Sequence, residues 1–142
     1  MKKAFLMTTL CLGLFACGNN NAGSGEQQEN KPKTEMVEVL YFHGKQRCPT
    51  CRAIEKETKE LVSTTFADDM KKGKLIFKTL DIDENEAIAD KYQVTWSSLI
   101  LVDYDGGKEK YEDMTKFAFG NARKSPDAFK NGLAEKIKEM LN

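Results

Sequence analysis

Two cysteines, Cys48 and Cys51, are separated only by Pro49 and Thr50. Two thiols three positions apart at the start of a helix can close a small disulfide ring and reopen it, which is redox chemistry. A thiolate at a helix N-terminus lies beside unpaired backbone N–H groups and the positive end of the helix dipole, so the first cysteine ionises more readily than a free one. The spacing therefore predicts thiol–disulfide exchange in which Cys48 attacks and Cys51 resolves the mixed disulfide.

The segments on either side of this pair have patterns that would position it. Residues 36–43 are predicted to form a strand, residues 44–47 a short polar loop, and residues 52–66 a helix. The cysteines would then lie at the junction between the first strand and the first helix.

Three further runs have the composition of strands, and they cover residues 74–82, 98–104 and 108–114. Asp105, Gly106 and Gly107 stand between the last two runs and predict a hairpin. The sheet is therefore predicted to have four strands.

Two more helices are predicted from their start signals. Asp83 followed by Glu86 has the spacing of a capping box and opens a helix that runs to about Tyr92. Ser125 and Pro126 supply an N-cap and a first-turn proline for the last helix. The apolar face of that helix is predicted to contain Phe129, Leu133, Ile137 and Met140. The predicted order of elements is βαβαββα.

The first 16 residues have the pattern of a secretory signal. Lys2 and Lys3 precede an apolar run that is too short to span a bilayer as a helix. Residues 14–17 resemble a bacterial lipobox that ends in Cys17, and the resemblance implies that Cys17 is lipidated and becomes the new N-terminus. The alternative is ordinary signal cleavage without a lipid.

Residues 18–35 are mostly Asn, Gly, Gln, Glu and Lys, with almost nothing to bury. Such a segment is predicted to be a disordered tether with a root-mean-square reach of roughly 20 to 25 Å. It would hold a domain of residues 36–142 off the periplasmic side of a bacterial membrane. Of the four cysteines, Cys11 would leave with the signal and Cys17 would carry lipid.

The charge balance argues against a nucleic-acid partner. The chain has 22 basic and 22 acidic side chains, and loss of the signal would leave 20 basic against 22 acidic. Lysines and acids alternate along the predicted helices, which is typical of a solvated face. The acidic residues 81–86 lack the glycine and the final glutamate of a calcium loop. No nicotinamide or flavin fingerprint is present, so no cofactor and no bound metal are expected.

The order of elements, with a CxxC pair at the first strand-to-helix junction, resembles the thioredoxin fold over residues 36–142. Residues 80–94 look like the second strand, the following helix and the approach to the third strand of thioredoxins. Residues 41–51 and 94–99 are similar to a narrower group of thioredoxin-like bacterial lipoproteins, the nitrophenyl compound nitroreductase subunits. The resemblance implies an α/β fold with a mixed four-stranded sheet flanked by helices, and thiol–disulfide oxidoreductase activity.

Thioredoxins place a cis-proline just before the third strand, opposite the CxxC pair. Ser97, or alternatively Ser98, stands at that position here. A trans bond is expected, since a cis bond before serine costs several kcal/mol. The resemblance implies that Trp96 and Ser97 lie in a loop that faces the substrate, although Trp96 also suits a packing role.

Thioredoxins also carry a buried acid near the end of the first strand, and residues 40–43 contain no carboxylate. His43 is near enough in sequence to assist the cysteines, or it is a strand-end side chain with no catalytic task. Arg47 and Arg52 flank the pair, where they either stabilise a Cys48 thiolate or are simply solvated.

Oxidising motifs of this kind carry a histidine between the cysteines, and its absence here favours a reductase. A reductase outside the cytoplasm has no soluble reductant, so the predicted partners are a disulfide substrate and a membrane electron carrier of the cytochrome-biogenesis type. Two alternatives remain open. One is a module that binds a soft metal or an arsenical through Cys48, Cys51 and His43, and the other is a non-catalytic docking subunit.

Overall fold

The computed structural model describes residues 35–142 of the chain. Its strands are β1 (Met36–His43), β2 (Leu75–Asp81), β3 (Ser98–Asp105) and β4 (Lys108–Asp113). They form one four-stranded sheet in the spatial order β2-β1-β3-β4. Strand β2 runs parallel to β1, whereas β3 is antiparallel to both β1 and β4. The predicted mixed four-stranded sheet is confirmed.

The predicted signal, Cys17 and residues 18–34 of the predicted tether lie outside the described residues. Their roles therefore stay predictions. Within residues 35–142, none of the helices combines the length and apolar composition that crossing a bilayer requires.

Helices cover both faces of the sheet. They are α1 (Pro49–Thr65), α2 (Ala67–Lys71), α3 (Glu86–Lys91), α4 (Thr115–Asn121) and α5 (Pro126–Leu141). Apolar residues of α1, α4 and α5 pack together on one face, and those of α3 pack on the other. The sheet is thus buried between two helical layers.

Strand β1 lies in the middle of the sheet and contributes to both cores. Val39 and Tyr41 point to the α1 face, whereas Leu40 and Phe42 point to the α3 face, and all four are fully buried. This follows from the two-residue period of a strand, which sends successive side chains to opposite faces. The nearly continuous apolar run of residues 36–43 reflects burial on both sides.

Two short helices are absent from the predicted order and correct it to βααβαββαα. Helix α2 has five residues and α4 has seven. Neither is long enough to show the repeated apolar spacing by which a helix is recognised in sequence. Helix α4 matters for the site below, because it supplies Phe119.

The predicted capping box is wrong. Helix α3 begins at Glu86, with Asn85 at the N-cap position and no side-chain capping bond. The N–H of Asp83 instead donates to the Asp81 carboxylate at 3.0 Å. Asp81, at the end of β2, organises the turn that the sequence pattern assigned to the helix start.

Ser125 and Pro126 do occupy the N-cap and first position of α5, but the Ser125 side chain makes no capping bond. Its backbone carbonyl begins the helix by accepting from the N–H of Phe129 at 3.0 Å. The hairpin is confirmed, because β3 and β4 are joined by Gly106 and Gly107, both with positive φ. A two-residue hairpin of this type needs that conformation, which glycine adopts at no steric cost.

Candidate active site

The two cysteines form a disulfide at the beginning of α1, with their Cα atoms 5.0 Å apart. Cys48 is the N-cap residue, Pro49 is the first residue of the helix, and Cys51 lies in the first turn. The helix thus begins three residues before the predicted Arg52. Proline is favoured at a first helical position, because its fixed φ suits the helix and its missing N–H would be unpaired there.

The two sulfurs differ in their access to solvent. Cys48 is exposed, whereas Cys51 is only 5% exposed. The N–H of Cys51 donates to the Cys48 Sγ at 3.0 Å, so a backbone donor of the first helical turn is already aimed at this sulfur. When the bond is reduced, that donor and the helix dipole stabilise a thiolate at Cys48. A substrate disulfide can reach Cys48, while Cys51 is reached mainly through Cys48.

Tyr41 anchors the first turn of α1 to the central strand. The Tyr41 hydroxyl donates to the backbone carbonyl of Cys51 at 2.8 Å, and the side chain is fully buried. Burial raises the pKa of Tyr41 above its ordinary value, against opposing effects from Arg47 and Ser97. The phenol therefore stays protonated and remains a donor. The sequence analysis missed this residue, although a tyrosine on the inward face of a buried strand signals a hydroxyl that needs a partner.

Arg47, the residue before Cys48, is held from two sides. Its guanidinium forms an ion pair with Glu55 of α1 and lies 5.7 Å from the centre of the Tyr41 ring. Burial acts to lower the pKa of Arg47, but interactions with Tyr41 and Glu55 outweigh it and hold that pKa above its usual value. Glu55 was also missed by the sequence analysis, since nothing in the local pattern distinguishes it from its solvated neighbours.

The two arginines that flank the cysteines differ. The Arg47 side chain is 25% exposed and fixed in place by its ion pair, whereas the Arg52 side chain is exposed and donates to the backbone carbonyl of Arg47, at 3.1 Å. The solvated alternative therefore describes Arg52, and it does not describe Arg47.

His43 lies at the end of β1. Its Nδ1 is 3.2 Å from the carbonyl oxygen of Gly44 and 4.0 Å from Oδ2 of Asp81, its partner on β2. Within residues 35–142, no hydrogen bond joins His43 to either cysteine. The geometry favours the strand-end interpretation of this histidine.

Ser97 is the last residue of the loop before β3. It acts to lower the pKa of Tyr41, whose hydroxyl donates to the backbone of Cys51. Peptide bonds in the described part of the chain are all trans, so Ser97 follows a trans bond as expected. Ser98 is the first residue of β3 and is buried. Ser97 is thus the last loop residue before β3, and its correspondence to the cis-proline position stays a prediction.

Trp96 is 58% exposed, so it is partly packed and partly open to solvent. One side of its ring packs against Phe119 of α4, with ring centres 5.2 Å apart. The two rings form an apolar surface at the loop that precedes β3.

The described residues contain no group of three or more His, Cys, Asp or Glu side chains placed to hold a metal ion. A cavity of about 260 Å³ is lined by residues that include Met36, Asp103 and Asn142. It lies at the opposite end of β1 from the cysteines.

No family model matches the chain, and no curated protein matches it in sequence. Among solved structures, thioredoxin from Fasciola hepatica is similar, with 22% identity and a TM-score of 0.50, over 76% of this chain and 84% of that one. The Trx4 domain of ERdj5 is similar with 18% identity and a TM-score of 0.51, over 78% of this chain and 83% of that one. The thioredoxin fold expected from the sequence is confirmed.

Proposed function

We propose that this protein is a thiol–disulfide oxidoreductase in which Cys48 is the nucleophile and Cys51 is the resolving cysteine. One observation carries the proposal. An exposed sulfur at the N-terminus of α1 is bonded to a buried sulfur one turn further along. The exposed sulfur is the one that a helix N-terminus activates as a thiolate.

Each turnover transfers two electrons to the substrate. The Cys48 thiolate attacks one sulfur of the substrate disulfide, which forms a mixed disulfide and releases the first substrate thiolate. Cys51 then loses its proton and attacks the Cys48 sulfur. This step forms the Cys48–Cys51 bond and releases the second substrate thiolate, and solvent protonates the products.

The direction that we propose is reduction of the substrate, outside the cytoplasm. It rests on the sequence alone: a secretory signal, a lipobox that ends in Cys17, and no histidine between the cysteines. The lipid on Cys17 and the 18-residue tether would keep the domain close to a membrane electron carrier of the cytochrome-biogenesis type. Such tethering raises the effective concentration of the two partners.

The narrower resemblance, to the lipoproteins known as nitrophenyl compound nitroreductase subunits, also belongs to this proposal. The described residues hold no site that we assign to a flavin or a nicotinamide. In our proposal this protein passes electrons between thiols, and nitroreduction takes place in another protein.

Trapping of the mixed disulfide tests the assignment of roles. Purified Cys51→Ser and Cys48→Ser variants are incubated with glutathione disulfide and analysed by intact-mass spectrometry. Cys51→Ser should accumulate one glutathione adduct, because Cys48 attacks and nothing resolves the product. Cys48→Ser should stay largely unmodified, because Cys51 is buried. Faster modification of Cys48→Ser would contradict the proposed roles.

Two further experiments test the finer parts of the proposal. Replacement of Cys17 by serine should release the protein from the membrane fraction and abolish labelling by a fatty acid. Co-expression with a carrier of the proposed type should keep the Cys48–Cys51 pair reduced in the cell. A pair that stays oxidised would count against that partner.

A further inference from the structure

Arg47, Glu55 and Tyr41 form an organised cluster near the cysteines. Arg47 directly precedes Cys48, and its guanidinium is paired with the carboxylate of Glu55. The ring of Tyr41 lies beneath the guanidinium, 5.7 Å away. The Arg47 side chain is thus held in one place from below by Tyr41 and from the side by Glu55.

Glu55 stands on the same face of α1 as Cys51. The two residues are four positions apart, which places Glu55 one helical turn further along, about 6 Å in the axial direction. The side chains of Arg47 and Glu55 are 25% and 27% exposed, so both charges are partly shielded from solvent. Charges at this depth and range act on each other and on a neighbouring thiolate, because salt and water screen them only in part.

The other charged groups around the cysteines have different partners. Arg52 is exposed and donates to the backbone carbonyl of Arg47. Lys45 pairs with Asp83 at 3.2 Å in an exposed position. On β1 and β2, His43 faces Asp81. The charge of the Arg47 side chain is therefore balanced mainly by Glu55.

We infer that Glu55 is a positioning residue that, through Arg47, sets the reduction potential of the Cys48–Cys51 pair. The inference rests on the proposed function. Reduction places a negative charge on the Cys48 sulfur, and the neighbouring Arg47 stabilises it. Glu55 competes for the same guanidinium, which weakens that stabilisation. The carboxylate thus makes the pair harder to reduce, and a more strongly reducing dithiol, than Arg47 alone would make it.

The test compares Glu55→Gln with Glu60→Gln in the purified chain. Glu60 is a matched control, because it lies on the same helix and pairs with Lys130 at 3.0 Å, nine residues beyond Cys51. Each variant is equilibrated with reduced and oxidised glutathione, and the Cys48 thiolate is titrated by its ultraviolet absorbance. Glu55→Gln should shift the equilibrium about threefold towards the dithiol, which is about 14 mV, and lower the pKa of Cys48. Glu60→Gln should leave both unchanged.

Arg47 variants test whether Glu55 acts on the redox equilibrium through Arg47. Arg47→Met should shift the equilibrium about threefold in the opposite direction, towards the disulfide. In the Arg47→Met background, Glu55→Gln should then lose more than half of its effect. An equal effect with and without Arg47, or a shift of Glu55→Gln towards the disulfide, would overturn the inference.

The same glutathione equilibration distinguishes failure of the proposed function from failure of the inference about Glu55. If the unmodified chain formed no Cys48–Cys51 disulfide in any glutathione mixture, there would be no potential to tune, and both proposals would fall. If the unmodified chain formed the disulfide and Glu55→Gln behaved like Glu60→Gln, only the inference about Glu55 would fall.

Discussion

The two faces of the sheet are built from similar polar groups that do different work. On the α1 face, which we call the cysteine region, Tyr41 bonds the backbone of Cys51 and Arg47 pairs with Glu55 beside the disulfide. Both of these contacts involve residues of the turn that carries the sulfurs or the residue just before it. The region holds a reactive bond in a defined position.

On the α3 face, a tyrosine cluster is formed by Tyr92, Tyr104, Glu38 and Glu109. The Tyr104 hydroxyl donates to Glu38 at 3.2 Å, and that of Tyr92 donates to Glu109 at 3.0 Å. Lys78 pairs with Glu38 and Lys91 pairs with Glu109, and within residues 35–142 no hydrogen bond joins this cluster to a cysteine. Because both faces of the sheet contain a tyrosine and an ion pair, these groups alone do not identify a functional site. What they hold in place decides their role.

Removal of the two sulfurs should have the largest effect on the cysteine region. Cys48→Ser, Cys51→Ser and the double variant should abolish repeated turnover of a disulfide substrate, because exchange needs both thiols. The fold should persist, because neither cysteine belongs to the two apolar clusters that cover the faces of the sheet. Insulin reduction with a thiol donor measures turnover. Residual turnover in the double variant would contradict the proposed chemistry, while a docking role would survive this change.

Tyr41→Phe should have the next largest effect. It removes the tyrosine's bond to the buried carbonyl of Cys51, which keeps only its partner within the helix, and this should cost about 1 to 2 kcal/mol in the free energy of unfolding. It should also make the disulfide easier to reduce, because Cys51 is no longer fixed beneath Cys48 and the effective concentration of the two thiols falls. Urea unfolding and glutathione equilibration measure the two quantities. A loss of stability without a change in the redox equilibrium would place Tyr41 in a purely structural role.

On the α3 face, the change to compare with Tyr41→Phe is Lys78→Met, which removes a partner of the tyrosine cluster. Lys78 pairs at 2.8 Å with Glu38, which is only 5% exposed, so the variant leaves a buried carboxylate with less compensation. Because Lys78 itself is partly exposed, the expected loss of stability is about 1 to 2 kcal/mol, less than for a fully buried pair. The redox equilibrium should not move. A shift in that equilibrium would show that the two faces are coupled.

The smallest expected effect concerns alkaline pH. Burial raises the pKa of Tyr104 to about 12, and burial also raises that of Tyr92. Such phenols stay protonated in the fold and ionise in the unfolded chain, so the stability they contribute is full below the ordinary pKa of 10.0 and is lost as pH rises through about 12. In the double cysteine variant, Tyr104→Phe should make this loss less steep. Urea unfolding across that range measures it.

Much of the fold follows from local patterns. The four strands, the Gly106–Gly107 hairpin and the start of α5 at Pro126 each depend on a few adjacent residues, and all were predictable. The short helices α2 and α4 were not, because helices of five and seven residues show no periodic signal. The predicted start of α3 was wrong because the N–H of Asp83 donates to the Asp81 carboxylate, at the end of β2, and Asp83 does not cap the helix.

The features of the site also divide into those that depend on adjacent residues and those that depend on packing between elements. The placement of Cys48 and Cys51 at a strand-to-helix junction is a local property, so the sequence sufficed. The tie from Tyr41 to Cys51 and the contact of Trp96 with Phe119 join different elements. Such contacts depend on how β1, α1 and α4 pack, which no local spacing encodes. Glu55 was invisible because its partner, Arg47, lies outside the helix.

The reduction potential of the Cys48–Cys51 pair, measured on the purified chain by equilibration in graded thiol buffers, tests the central claim most directly. We predict one intramolecular disulfide with a potential near that of thioredoxin, about −270 mV, as a reductase requires. A value near −120 mV would reverse the proposed direction of electron flow. If no intramolecular disulfide formed in any buffer, thiol–disulfide exchange would be the wrong chemistry for this protein.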